Sequence, residues 1–177
     1  PGDFFQGHAT LAAALVDAAV GAGPVIDGLA LDLYCGVGLF TLPLARRATE
    51  VVGVEGSASA ARRAEENARA NGVATARFVA APVERVVLSW RGPPPRHVLL
   101  DPPRAGAGER VVAAVADLAP DTLAYVSCDP ATLARDLRGF VDRGYAPTSV
   151  AALDLFPHTP HVETVVHLRR ERSQPSA

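Results

Sequence analysis

Four groups in this chain could do chemistry, and one of them organises the rest. Val126-Ser127-Cys128-Asp129-Pro130 places a cysteine after an apolar run, Leu123-Ala124-Tyr125-Val126, and directly before an Asp-Pro pair. Such a run reads as a buried strand, and Asp followed by Pro reads as a helix N-cap with proline in the first turn. Cys128 would then stand at a strand tip beside the positive end of a helix, where orphan N–H groups and the helix dipole favour an anion. A thiol placed there is expected to ionise more readily than a free one, and the thiolate is the form that attacks. A free cysteine is more often a small buried hydrophobe, so the nucleophile reading rests on what else reaches the same place.

Three other groups follow apolar strands in the same way. Leu29-Ala30-Leu31-Asp32-Leu33-Tyr34 carries one acid and runs into Cys35-Gly36-Val37-Gly38-Leu39-Phe40-Thr41. A strand, a glycine-rich turn and a helix start let a ligand approach backbone closely. Thr41 stands where a dinucleotide fingerprint would place its third glycine, and Asp32 suits a cationic or hydroxyl-bearing ligand better than a pyrophosphate. Val51-Val52-Gly53-Val54-Glu55 ends in an acid 17 positions beyond Gly38, near the spacing at which a carboxylate takes the two ribose hydroxyls of an adenosine cofactor. In His97-Val98-Leu99-Leu100-Asp101-Pro102-Pro103-Arg104 two prolines stiffen the strand exit and aim Asp101 outward.

The elements that must position these groups follow from periodicity and from Gly and Pro stops. Helices are expected over His8–Val20, Leu39–Arg47, Ser59–Asn71, Val83–Trp90, Glu109–Leu118 and Pro130–Arg143. In the third, Glu65 and Arg69 have the spacing of an i,i+4 pair, and Gly72 is the stop. Strands are expected over Leu29–Tyr34, Val51–Glu55, Ala76–Ala80, His97–Asp101, Leu123–Val126, Ser149–Leu155 and Thr164–Leu168. Alternation of strand and helix implies an α/β fold with a mostly parallel seven-stranded sheet and helices on both faces; the last two strands, with no helix between them, imply an antiparallel edge. Sheets of this kind collect their sites at the carboxyl ends of the strands. Gly36 and Gly38, Glu55, Asp101 and Cys128 therefore fall on one rim, and that agreement favours a nucleophile over a buried hydrophobe. One domain is expected over residues 1–169, with 170–177 as a polar, disordered tail.

Composition narrows the setting. The chain has 177 residues, 49% hydrophobic and 20% charged, enough to bury the core of one domain. Two cysteines, Cys35 and Cys128, make neither a disulfide framework nor a metal or iron–sulfur cluster, so a reducing, cytoplasmic setting is expected. No apolar run approaches the roughly 18 residues of a membrane span, and neither a span nor a signal peptide is expected. A net charge of −2 argues against a domain that holds nucleic acid by charge alone. A start at Pro1 and the absence of methionine suggest a piece of a longer protein, here expected to be monomeric.

Phe4-Phe5-Gln6, Asp32-Leu-Tyr-Cys-Gly-Val-Gly-Leu-Phe40, Asp101-Pro-Pro-Arg104, Ser127-Cys-Asp-Pro-Ala-Thr-Leu-Ala-Arg-Asp136 and Phe156-Pro-His-Thr-Pro-His-Val-Glu163 together resemble the successive motifs of the S-adenosylmethionine-dependent RNA 5-methyluridine methyltransferases. The resemblance runs in order from Phe4 to Glu163, and its most specific parts are the Ser-Cys-Asp-Pro and Phe-Pro-His-Thr-x-His-x-Glu segments. It implies a class I methyltransferase (Rossmann-like) fold, S-adenosyl-L-methionine as cofactor and a uridine of rRNA or tRNA as substrate. It also implies an RNA-binding domain and a central domain in related full-length enzymes, both absent from this chain.

By the same resemblance Cys128 attacks C6 of uracil, making C5 nucleophilic enough to take the methyl group, and Glu163 removes the C5 proton. Gln6 and Asp101 are assigned to S-adenosylmethionine or the adjoining base, Tyr34 and the Gly36, Gly38, Leu39 loop to its amino-acid end, and Glu55 to its ribose. His158 and His161 shape the turn before Glu163 instead of binding metal. The chain departs from the family at His8 and Leu39, where asparagine is frequent, at Asp129, which serves equally as a cap, and at Ala80-Ala81-Pro82, which offers adenine no polar side chain. Competing readings are an amino-methyltransferase, disfavoured because Arg104 stands where an aromatic would stack a flipped adenine; a dinucleotide oxidoreductase, disfavoured by Thr41; and a non-catalytic cofactor- and RNA-binding module.

Overall fold

A computed structural model describes residues 12–21, 25–154 and 162–171. Its core is one sheet of seven strands in the order β3-β2-β1-β4-β5-β7-β6. The strands are β1 (Ile26–Leu33), β2 (Ala48–Glu55), β3 (Ala76–Ala80), β4 (His97–Leu100), β5 (Thr122–Ser127), β6 (Tyr145–Leu153) and β7 (Glu163–Arg170). The first five pair in parallel, and at one side of the sheet β7 runs antiparallel to both β5 and β6. The mostly parallel α/β fold with an antiparallel edge is therefore as the sequence implied.

Side chains alternate across the pleat, as strand geometry requires. Leu29, Leu31 and Leu33 of β1, Val98 and Leu100 of β4, and Leu123 and Tyr125 of β5 share one core. Into it pack Val83 and Val87 of α4 (Val83–Leu88), Val111, Val112 and Val115 of α5 (Glu109–Asp117), and Leu133 and Phe140 of α6 (Pro130–Val141). The intervening residues face the other way: Ala30, Val51, Leu99, Ala124 and Val126 meet α1 (12–20) through Leu15 and Ala19, and α2 (Thr41–Leu44) through Leu44. Parallel strands buried on both faces read as continuous apolar runs, which is how β4 and β5 look in the sequence.

α3 (Ala58–Ala70) buries Ala61, Ala64 and Ala68, a narrow stripe of small residues that lets the helix lie close to β2 and β3. It ends as the glycine stop predicts: Gly72 adopts φ +66°, with Gly72 N–H donating to Arg69 O (3.1 Å) and Val73 N–H to Ala68 O (2.9 Å). Arg69 Nε donates to the Glu65 backbone carbonyl at 3.4 Å, a backbone contact in place of the expected side-chain pair.

Boundaries shift where tertiary contacts outweigh local signals. The second helix shrinks from Leu39–Arg47 to Thr41–Leu44, because residues 36–40 form a turn and β2 already starts at Ala48. β6 begins at Tyr145, four residues before the expected start at Ser149. Buried Tyr145 donates its hydroxyl to Pro120 O (3.0 Å) and meets Phe140 edge-on, and a bulge between Pro147 and Ser149 accommodates the proline on the edge strand. β7 extends to Arg170, and Glu171 N–H donates to Gly144 O (2.8 Å), so the ordered domain runs past 169. Residues 172–177 lie outside the described residues, and among those described no helix is long and apolar enough to cross a membrane.

Candidate active site

Register brings the predicted groups to one rim. Leu33 lies beside Val54 on one side and Leu100 on the other, and Leu100 lies beside Tyr125. The chain thus leaves β1, β2, β4 and β5 on the same side, at Tyr34, Glu55, Asp101 and Cys128. β7 runs the opposite way, so its first residue, Glu163, reaches the rim from which β5 departs. The last β5–β7 pair is Ser127 with Thr164, and Cys128 and Glu163 are the next residues outward on either chain.

Cys128 is half-buried between β5 and α6. Asp129 caps α6, its side chain accepting Thr132 N–H at 2.8 Å, with Pro130 at the start of the helix. Those hydrogen bonds to Thr132 hold the half-buried Asp129 carboxyl below the usual carboxylate range. Ser127 Oγ accepts Asp129 N–H (3.1 Å) and donates to Asp129 O (3.0 Å), which fixes the turn around Cys128. The other cysteine is a different case. Cys35 is 3% exposed, a Cβ placed on Gly53 would come within 2.9 Å of its sulfur, and burial first, then Asp32 and Glu55, push its thiol up to about 12.

Glu55 ends β2 with both oxygens held by backbone: Oε2 accepts Gly36 N–H (3.0 Å) and Oε1 accepts Ser57 N–H (2.7 Å). Each carboxylate oxygen keeps a second lone pair for a ligand hydroxyl. The turn beside it uses glycine at φ +55° (Gly36) and +94° (Gly38). A Cβ on Gly38 would lie 2.7 Å from Leu42 Cδ1 and 3.6 Å from Ala64 Cβ, whereas one on Gly36 would meet nothing within 4 Å. The first glycine faces open space and the second permits close packing. Leu39 and Val37, each 45% exposed, display apolar side chains on the same turn. Tyr34, at φ +67°, packs its ring against the α4–α5–α6 core, and burial raises its phenol to about 12.

Asp32 explains why Thr41 replaces a glycine. Fully buried, it accepts the Thr41 hydroxyl at Oδ2 (2.5 Å), while Oδ1 has no hydrogen-bond partner. A lone acid in an apolar strand needs a partner, and the threonine nine residues on was the signal that sequence reading passed over. Burial is the main cause that pushes the Asp32 carboxyl up to about 7, with Asp101 and Glu55 adding to it. Asp101, half-buried after Leu100, is likewise raised to about 7, by burial and then by Glu163. Asp32 thus feels Asp101 and Glu55, and Asp101 feels Glu163, a chain of like charges that a cationic ligand relieves.

The Asp32 shift has a measurable consequence. Its carboxyl ionises near 4 in the unfolded chain and near 7 in the folded one, so between those values only the folded state holds the proton. The stabilisation is complete below about pH 4 and is lost as pH rises through 7. Asp32→Asn should flatten that decline by up to about 4 kcal/mol between pH 4 and pH 8, read from urea unfolding at both values. Equal slopes in the two proteins would refute the assignment.

Gln6, His158 and His161 lie outside the described residues. Among those described, no group of three or more His, Cys, Asp or Glu is placed to hold a metal ion.

Comparison with known proteins gives this geometry its family. Residues 94–171 match the tRNA (Uracil-5-)-methyltransferase family model, and residues 30–91 match a general methyltransferase-domain model. The 23S rRNA (uracil(1939)-C(5))-methyltransferase RlmD of Alkalilimnicola ehrlichii is 49% identical over 97% of this chain, and that of Aeromonas salmonicida 48% over 93%. The chain spans 39% and 38% of those relatives' lengths. Among solved structures, the Pyrococcus abyssi tRNA (uracil-54, C5)-methyltransferase in complex with S-adenosyl-L-homocysteine superposes with a TM-score of 0.75 at 38% identity, covering 89% of this chain and 38% of that one. A magnesium protoporphyrin IX methyltransferase from Synechocystis, 18% identical with a TM-score of 0.69, shares the fold alone. With its class I methyltransferase sheet and these matches, the chain belongs to the S-adenosylmethionine-dependent RNA 5-methyluridine methyltransferase family, over that family's catalytic domain.

Proposed function

We propose that this chain is the catalytic domain of a cytoplasmic enzyme that methylates C5 of a uridine in rRNA or tRNA through a covalent bond between Cys128 and C6. The observation that supports it most is the placement of Cys128 and Glu163 immediately beyond the same β5–β7 pair, at the rim that also carries Glu55 and Asp101.

Uracil C5 is a weak nucleophile until its double bond is broken. Addition of the Cys128 sulfur to C6 forms an S–C6 bond and moves the double-bond electrons onto C5 and the adjoining carbonyl as an enolate. S-adenosylmethionine, when bound, supplies the methyl group that C5 then takes. Glu163 accepts the C5 proton, the electrons of that C–H bond restore the C5–C6 double bond, and the S–C6 bond breaks, returning the thiolate. C6 is shielded in a stacked helix, so the substrate is a uridine flipped out of a loop or of locally opened RNA.

The residues present fit the cofactor. Its sulfonium and ammonium charges suit a rim that carries Glu55, Asp101 and Glu163 above buried Asp32, whose Oδ1 has no hydrogen-bond partner. We assign Glu55 to the ribose, the open turn at Gly36, Gly38 and Leu39 with Tyr34 and Gln6 to the amino-acid end, and Asp101 to the junction of cofactor and base. With a net charge of −2 the chain is not suited to holding RNA through phosphate contacts alone.

The test uses the protein at full length with RNA carrying 5-fluorouridine at the target position. Fluorine cannot leave as a cation, so the expected result is a denaturation-resistant protein–RNA complex, with the cross-linked peptide containing Cys128. Turnover of ordinary RNA without any such complex would overturn the mechanism.

A further inference from the structure

Asp136 lies on the buried stripe of α6, between Leu133 and Phe140, and is 2% exposed. An acid at an apolar position of a helix needs its lone pairs filled. Here the donors come from three separate elements. Oδ2 accepts the Tyr125 hydroxyl (2.6 Å) from β5 and the backbone N–H groups of Ala107 (2.7 Å) and Gly108 (3.3 Å) from the loop that follows β4. Oδ1 accepts Arg135 Nε (2.9 Å), and the same guanidinium donates through Nη2 to Ala105 O (2.8 Å). Thr132, one turn earlier, donates its hydroxyl to Arg104 O (3.0 Å).

The loop is shaped to this carboxylate. Gly106 and Gly108 take φ of +77° and +82°, and a Cβ on Gly106 would stand 2.6 Å from Asp136 Oδ2 and 2.5 Å from Arg135 Nη2. The same loop begins with Asp101 and the buried Pro102. Tyr125 is three residues before Cys128, and Asp136 eight after it, so the bonded elements flank the cysteine on both sides. One carboxylate therefore joins the strand and helix that carry Cys128 to the loop that carries Asp101.

We propose that Asp136 is a positioning residue that sets Cys128 against Asp101 by fastening the 101–108 loop to β5 and α6. This role rests on the covalent mechanism proposed above and belongs to a side chain that is not among its reacting groups. Asparagine at 136 keeps the size but turns an amide donor toward Arg135, and phenylalanine at 125 removes a single donor from the cluster. Neither change alters a hydrogen bond of Glu55 or of the turn at Gly36 and Gly38, and Asp136 and Tyr125 reach Tyr34 through electrostatics.

The experiment is the rate of adduct formation with 5-fluorouridine RNA at saturating RNA and cofactor, in the full-length protein, alongside cofactor affinity and the KM for RNA. Asp136→Asn should slow the maximal rate roughly 100-fold, the effect of displacing a reacting group by an ångström, while cofactor affinity and KM stay within about threefold. Tyr125→Phe should slow it about fivefold. A folded Asp136→Asn protein with the wild-type maximal rate overturns the role, and if that variant does not fold, a wild-type rate in Tyr125→Phe does so. Failure of the wild-type protein itself to form the adduct refutes the covalent mechanism and the positioning role with it.

Discussion

Cys128→Ala is expected to lower uridine methylation roughly 10⁴-fold or more, with no protein–RNA adduct on 5-fluorouridine RNA and cofactor affinity within about threefold of wild type. The size of the effect follows from the proposed mechanism: there, without sulfur on C6 no enolate forms at C5, and none of the remaining side chains substitutes for a carbon–sulfur bond. Cys35 cannot take over, because it is buried in the turn after β1 and its thiol is pushed up to about 12. Folding should be little affected, since Cys128 is half-buried in a turn whose hydrogen bonds run through Ser127, Asp129 and Thr132. Removing one sulfur there should change stability by about 1 kcal/mol or less. Methylation above a tenth of the wild-type rate would show that the nucleophile is elsewhere.

Much of this site could be read in one dimension because parallel α/β sheets gather the ends of non-adjacent strands on one rim. Glu55, Asp101 and Cys128 each close an apolar run, so their convergence required only the strands to be right. Glu163 was harder, since its place depends on β7 entering antiparallel beside β5, and a register displaced by one residue would turn it to the opposite face. Its role came from the resemblance of the segment around it. What stayed illegible was polar bonding across long sequence separations. In the sequence Thr41 stands only as a missing glycine, whereas in the fold it is the partner of Asp32. Asp136 was part of a motif, but its clasp on Ala107 and Gly108 spans 29 and 28 residues, and no local propensity reports that. The start of β6 at Tyr145 was missed for a related reason: Gly144 and Pro147 are turn signals, and burial of Tyr145 overrides them.

Glu163→Gln should separate the two halves of the reaction. The amide leaves Cys128 free to add to C6 and C5 free to take the methyl group, but it cannot accept the C5 proton that must leave before the S–C6 bond breaks. Ordinary uridine RNA should then accumulate as a methylated, denaturation-resistant complex with one methyl group per protein, and turnover should fall roughly 10²- to 10⁴-fold. Residual release should depend on pH through a neighbour. Glu163 is one cause, after burial, of the elevation of Asp101 to about 7, so removing its charge lowers the pH at which Asp101 ionises. An ionised Asp101, within electrostatic reach of position 163 at the same rim, is a substitute base, and release from the Glu163→Gln complex should quicken as pH rises. Adding Asp101→Asn should abolish that rise and leave the complex intact. Product release from Glu163→Gln at the wild-type rate would remove Glu163 from the proton step, and a residual release independent of Asp101 would mean that solvent or another group takes the proton.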